Sequence, residues 1–73
     1  MTPTVPLRLL RAVQAVAEAG SAAGAAAALH LSVSAVTRAV RQAEALLGLP
    51  LFDRGARGMV ATPATAVLVA RTL

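Results

Sequence analysis

Hydrophobic residues in the first part of the chain repeat with the period of an amphipathic helix. Between residues 6 and 19, apolar side chains recur on one side of a helical projection, while Arg8, Arg11 and Glu18 lie opposite. Gly20 is a typical helix stop. The pattern therefore predicts a first helix over about residues 6–19. Its apolar face consists of Leu9, Leu10, Val13, Val16 and Ala17.

Two further helices are predicted, and each follows a serine that can cap it. Ser21 precedes a short, alanine-rich helix from Ala22 to His30, in which Gly24 costs about 1 kcal/mol relative to alanine. Ser32 precedes a longer helix over Val33–Leu47, which stops at Gly48. A short helix, a tight turn and a longer helix indicate a helix-turn-helix.

The third predicted helix has two faces of different chemistry. One face is an apolar stripe made of Val33, Val36, Val40, Ala43 and Leu47. The opposite face is polar and basic, and it has no acid before Glu44. It consists of Ser34, Thr37, Arg38 and Arg41. Such a helix can insert into a small core and still present hydroxyls and guanidiniums outward, as a helix in the major groove of DNA must do.

After Gly48 the period changes from helical to extended. Residues 49–54 and 58–61 predict two short strands around a turn, with Phe52 as the core anchor of the hairpin. Thr62 and Pro63 start a fourth helix. The predicted fold is mostly α: a winged helix-turn-helix with three helices, a two-stranded wing and the start of a linker helix. We expect residues 1–61 to form this domain and residues 62–73 to begin the linker.

Size and composition narrow the class of protein. The chain has 73 residues, no cysteine, one histidine and three acids. These residues supply almost nothing for a metal cage or a catalytic constellation, so we expect no metal, no cofactor and no enzymatic activity. The uncharged run 19–37 contains Gly, Ser, Thr and His, and the helical periodicity is amphipathic, so no membrane association is expected either.

The net charge of +4 points to an acidic partner. All seven basic residues are arginine, whose guanidinium suits bidentate contact with phosphate or guanine. Codon usage in a GC-rich genome explains the preference for arginine over lysine, but it does not explain where the arginines lie.

Five segments carry a resemblance to a known family: Ala17-Glu18-Ala19-Gly20-Ser21, Ala25-Ala26 with Leu29-His30-Leu31-Ser32, Ser34-Ala35-Val36-Thr37-Arg38, the block from Glu44 through Leu47-Gly48-Leu49-Pro50-Leu51-Phe52-Asp53-Arg54, and Thr62-Pro63. Residues 7–65 resemble the DNA-binding domain of LysR-type transcriptional regulators. The resemblance implies a sequence-specific bacterial regulator in the cytoplasm, at the nucleoid, with double-stranded DNA as its partner. It implies a homodimer paired through the fourth helix, for which the candidates are Ala64, Val67 and Leu68. In that family a larger effector-binding domain follows; it is absent from these residues, and any small-molecule effector would bind there.

The resemblance also implies which residues contact DNA. On the third helix they are Val33, Ser34, Thr37 and Arg38, and at the wing they are Arg54 and Arg57. The residues themselves add Ser32, at the helix start where the dipole favours a phosphate, and Arg41. Val33 departs from the family pattern, which usually has a glutamine that can bond adenine twice. Valine offers only apolar contact, or it is buried at the edge of the core stripe.

Several alternatives remain open at this stage. Arg38 could pair with Glu44 or Glu18, Thr37 could bond back to its own helix, and Arg54 could pair with an acid and hold the wing. His30 is interpreted as a structural residue of the turn. A competing function is a helix-turn-helix remnant that dimerises without binding specific DNA, and a third is an arginine-rich targeting presequence.

Overall fold

A computed structural model describes residues 5–55 and 58–72 of the chain. The elements are α1 (Leu7–Ala19), α2 (Ala22–Leu29), α3 (Val33–Leu47), β1 (Phe52–Gly55), β2 (Gly58–Ala61) and α4 (Pro63–Thr72). The two strands pair antiparallel, with Phe52 opposite Ala61 and Gly55 opposite Gly58. This order confirms the predicted winged helix-turn-helix.

The predicted helix starts and stops are formed by the residues that indicated them. The Ser21 hydroxyl accepts from the Gly24 N–H at 3.0 Å, and the Ser32 hydroxyl accepts from the Ala35 N–H at 3.1 Å. Gly20 and Gly48 end their helices with φ of 74° and 71°. His30 was wrongly predicted as the last residue of α2. It follows the helix in the left-handed region, with φ of 57°, and its N–H bonds the carbonyls of Ala26 and Ala27.

The core lies where α1, α2 and α3 meet the start of the wing. Its fully buried large side chains are Leu9, Val13, Val16, Val36, Val40, Leu51 and Thr65. Phe52 is 4% exposed, which confirms its predicted role as the anchor of the hairpin. On α1 the prediction was partly wrong, because Leu10 and Ala17 are only half-buried while Ala12 is buried.

Gly24 occupies a close approach between α1 and α2. A Cβ built on this residue would lie 2.8 Å from the Ala19 Cβ and 3.1 Å from the Ser21 Oγ. The expectation that Gly24 is only a weak point of its helix was therefore incomplete. Because glycine has no side chain, the first turn of α2 can pack directly against the last residue of α1.

The wing begins three residues later than predicted. Leu49 donates its N–H to the Glu44 carbonyl at 3.3 Å, and Leu51 donates to the Glu44 carboxylate at 2.9 Å. Pro50 has no N–H to contribute to a ladder. These bonds hold residues 49–51 against the end of α3, so strand pairing starts only at Phe52.

The linker helix α4 begins at Pro63, as predicted, and is tied to the base of the wing. The Leu51 carbonyl accepts the Thr62 N–H at 2.9 Å, and the Thr62 hydroxyl lies 3.0 Å from the Pro50 carbonyl and 3.1 Å from the Leu51 carbonyl, which share its hydrogen. The Leu51 carbonyl also accepts the hydroxyl of Thr65, whose side chain is fully buried. One carbonyl at the start of the wing thus holds the first turn of α4.

Neither a metal-ligand cluster nor a single membrane-spanning helix occurs among the described residues. No group of three His, Cys, Asp or Glu side chains among them could hold a metal ion. No single helix in the described ranges is long and apolar enough to cross a bilayer. The pair α2 and α3 passes that criterion only when joined, and it is bent by 106°.

Candidate nucleic-acid interface

The outward side of α3 forms one open surface. We refer to it as the α3 surface; its lining residues are Val33, Ser34, Thr37, Arg38, Arg41, Gln42 and Ala45. Ser34, Arg38 and Arg41 are exposed, and Thr37 is half-buried. None of the lining residues is acidic, so two guanidiniums dominate the electrostatics of this surface.

The opposite side of α3 is anchored in the core. Val36, Val40 and Ala43 have no exposed surface, and Leu47 packs partly buried against the same cluster. These positions recur at helical spacing, and the opposite side of the helix, with Ser34, Arg38 and Arg41, is exposed. The predicted division of α3 into a core face and a polar face is therefore confirmed at these positions.

Val33 does not belong to the core face. Its side chain is 49% exposed and lies on the α3 surface beside Ser34 and Thr37. Of the two alternatives for Val33, burial at the edge of the core stripe is therefore wrong, and the buried stripe of α3 begins at Val36. An aliphatic side chain thus stands at the leading end of a polar and basic surface.

Ser32 and Glu44 both serve the local fold. The exposed Ser32 uses its hydroxyl oxygen to cap the Ala35 N–H. Glu44 uses one carboxylate oxygen to accept the Leu51 N–H, at 2.9 Å. That bond joins the end of α3 to the wing, a role that the sequence did not indicate.

Arg8 is a basic residue that sequence analysis did not assign to this site. Its guanidinium donates to the Gln42 Oε1 at 3.5 Å, across the junction of α1 and α3. Gln42 itself lines the α3 surface. An arginine of α1 therefore lies at the border of this surface. The helical pattern of α1 placed Arg8 on an outward face but carried no signal that this face adjoins α3.

The wing carries the remaining two predicted DNA contacts. Arg54 lies in β1, opposite Met59 in the strand register. Arg57 lies outside the described residues.

The three candidate dimerisation residues of α4 differ in exposure. Ala64 and Leu68 pack, partly buried, against the core of their own domain. Val67 is 55% exposed. Of the three, Val67 presents the most free apolar surface to a second molecule.

The helices, the wing and the basic α3 surface define a DNA-binding domain of the winged helix-turn-helix class. The family model "Bacterial regulatory helix-turn-helix protein, lysR family" matches residues 7–66. The chain therefore belongs to the lysR family of bacterial regulators, as the sequence resemblance indicated.

The curated relatives are transcriptional regulators much longer than this chain. The HTH-type transcriptional regulator TfdS of Cupriavidus pinatubonensis is 45% identical over 62 residues, which are 85% of this chain and 21% of that protein. The HTH-type transcriptional regulator AbaB of Streptomyces antibioticus is 52% identical over 56 residues, 77% of this chain and 19% of that protein. The chain thus spans about a fifth of these relatives. Both are named as transcriptional regulators, which supports the expectation that the chain is not an enzyme.

Solved structures of the same family superpose closely on the domain. The DNA complex of the CbnR DNA-binding domain matches with a TM-score of 0.86 at 39% identity, covering 90% of this chain and 76% of that one. The BenM DNA-binding domain bound to benA site 1 DNA matches with a TM-score of 0.85 at 32% identity, covering 90% and 77%. Both matches are complexes with DNA, and they give no support to an interaction module that does not bind DNA.

Proposed function

We propose that this domain binds specific sequences of double-stranded DNA, with α3 in the major groove and the wing along the backbone, as part of a transcription regulator. The observation that carries the proposal is the α3 surface, a basic and hydroxyl-rich helix face without acids, anchored from behind by a buried stripe. The two DNA complexes that superpose on the chain support the same use of the fold.

Base recognition is assigned to the N-terminal half of α3. In helix-turn-helix proteins the first turns of the recognition helix meet base edges. Arg38 is exposed and can bond guanine in a bidentate manner, while the Ser34 and Thr37 hydroxyls can donate to or accept from either purine or pyrimidine edges. We assign sequence discrimination to these three residues together with Val33.

Phosphate contacts are assigned to residues that border the α3 surface. Arg41 lies one turn beyond Arg38, and Arg8 approaches from α1 through Gln42. Ser32, at the start of α3, lies where the helix dipole favours an anion. Arg54 and Arg57 are proposed to contact the backbone from the wing. Each arginine on a phosphate releases counterions and steepens the salt dependence of binding by about 0.9.

A second copy of the chain is proposed to pair through α4, with residues 1–61 as the DNA-binding unit and residues 62–73 as the start of the linker. Val67 offers exposed apolar surface, with Ala64 and Leu68 at its border. Two domains related by a two-fold axis would recognise a pseudo-palindromic site. A regulator that acts on bacterial DNA works in the cytoplasm, at the nucleoid.

The role of Arg38 is tested with a matched pair of variants. Arg38→Gln and Arg11→Gln each remove one positive charge, but Arg11 lies on α1 and is not among the residues that line the α3 surface. Affinity is measured by fluorescence anisotropy on duplexes selected from a randomised library and on random duplex DNA. We expect Arg38→Gln to lose about 1–3 kcal/mol on the selected duplex, because a bidentate base contact is removed.

The control variant separates base recognition from general charge. Arg11→Gln should weaken selected and random duplexes equally and only slightly. If Arg38→Gln behaves like Arg11→Gln on both kinds of DNA, Arg38 does not contact a base and the assignment of α3 to the major groove is contradicted.

A further inference from the structure

Val33 is an exposed aliphatic residue at the position where a recognition helix first meets the bases. It is the first residue of α3, and about half of its surface is open to solvent. It lines the same surface as Ser34, Thr37 and Arg38. If that surface faces the major groove, as proposed above, the isopropyl group of Val33 is brought against a base edge.

The chemistry of valine restricts what that base edge can be. Valine has no donor or acceptor, and its branched Cβ keeps the side chain stiff. Against N7, O6, or an exocyclic amine, it would displace water without replacing the lost hydrogen bonds, which is unfavourable. The apolar group that unmodified DNA presents in the major groove is the C5 methyl of thymine. Two apolar groups that meet there lose only their exposure to water.

We infer that Val33 is a specificity-determining residue that selects a 5-methylpyrimidine in the half-site. Thymine meets this requirement in unmodified DNA, and 5-methylcytosine carries the same methyl group at the same ring position. The inference rests on the proposed docking of α3. Hydrogen bonding alone would assign no base contact to the first residue of α3, and the inference adds an apolar one.

The test removes the methyl group from the DNA and the side chain from the protein. Duplexes selected from a randomised library by the 73-residue chain are resynthesised with single thymines replaced by deoxyuracil. Affinities are measured for the unmodified chain, Val33→Ala and Thr37→Ser. Thr37→Ser is the matched control. Thr37 is the polar residue of the α3 surface that carries a methyl group, and serine removes this methyl while it keeps the hydroxyl.

We expect one thymine per half-site at which deoxyuracil weakens binding about fourfold, as burial of one methyl group predicts. That loss should vanish in Val33→Ala and persist in Thr37→Ser. Substituting 5-methylcytosine for cytosine at the same place in a variant site should restore affinity relative to cytosine, again only while Val33 is present. Circular dichroism of Val33→Ala should show an intact fold, since the residue is exposed and alanine favours helix.

The failures of the two proposals are distinguishable. Duplex binding in which no deoxyuracil position depends on Val33 would overturn the assignment of Val33 and leave the docking of α3 intact. A deoxyuracil effect that is lost in Thr37→Ser instead would assign the methyl contact to Thr37 and also overturn the inference. Absence of duplex binding at low salt would overturn both proposals.

Discussion

The second and third helices share one device at their start and differ in almost everything after it. A serine caps each one at nearly the same distance, 3.0 Å for α2 and 3.1 Å for α3. Thereafter α2 is eight residues of alanine, glycine and leucine, whereas α3 alternates buried valines with exposed hydroxyls and arginines. The short helix α2 packs closely against its neighbours, and the long helix α3 presents the polar and basic side chains. Substitutions in α2 should therefore alter stability, and those on the outside of α3 should alter DNA affinity.

The largest effect on stability is expected at the buried side of α2. Ala25→Leu places extra carbon atoms at a position with no exposed surface. Overpacking of this kind costs about 1–3 kcal/mol, which is a large share of the stability of a small domain. The free energy of unfolding is measured by urea denaturation followed by circular dichroism.

Ala23→Leu is the control for this substitution. It adds the same volume on the exposed side of the same helix. We expect it to change stability by less than about 0.5 kcal/mol. Equal losses for the two variants would mean that α2 does not pack as a spacer between its neighbours.

A smaller change in stability is expected at Gly24, opposite in sign to the change that helix propensity predicts. Helix propensity alone favours Gly24→Ala by about 1 kcal/mol. The added Cβ, however, would lie 2.8 Å from the Ala19 Cβ, where both atoms are fixed to the backbone. We expect a net loss of about 1 kcal/mol, since a packing clash of this size outweighs propensity. A rise in melting temperature would contradict this account of the close approach between α1 and α2.

A stability change of similar size is expected at each of the two serine caps. Ser21→Ala and Ser32→Ala should each cost about 1 kcal/mol of stability. Ser21→Asp and Ser32→Asp should keep most of that stability, because aspartate also caps. Only at Ser32 should aspartate weaken DNA binding, since its charge would face phosphate beside the α3 surface. Equal DNA affinities for the two aspartate variants would place the start of α3 away from the DNA.

Local signals in the sequence were sufficient for most of the fold. Ser21, Ser32, Gly20 and Gly48 each act on their own backbone, so the bounds of α3 could be predicted and those of α2 were missed only at His30. The same holds for the start of α4 at Pro63. Caps and stops involve atoms three or four residues apart, and a sequence pattern contains that information directly.

Features that depend on contact between distant segments could not be predicted. Helical spacing put Val33 on the apolar stripe with Val36 and Val40, but only those two are buried. The need for glycine at position 24 comes from the nearby Ala19 Cβ. The place of Arg8 beside the α3 surface comes from its bond to Gln42, 34 residues away. The hydroxyl of the buried Thr65 bonds the carbonyl of Leu51, 14 residues away. In each case a periodic pattern gives the face of a helix but not what that face meets.

The salt dependence of affinity for duplex DNA tests the central claim most directly. The four arginines assigned to phosphate in each protomer, Arg8, Arg41, Arg54 and Arg57, predict a slope of log affinity against log salt of about −4 for one domain, and about twice that for a dimer on two half-sites. Arg41→Gln should reduce the magnitude of the slope by about 0.9. An affinity that stays flat as salt rises, or no binding to duplex DNA at low salt, would contradict the claim that the α3 surface docks on DNA.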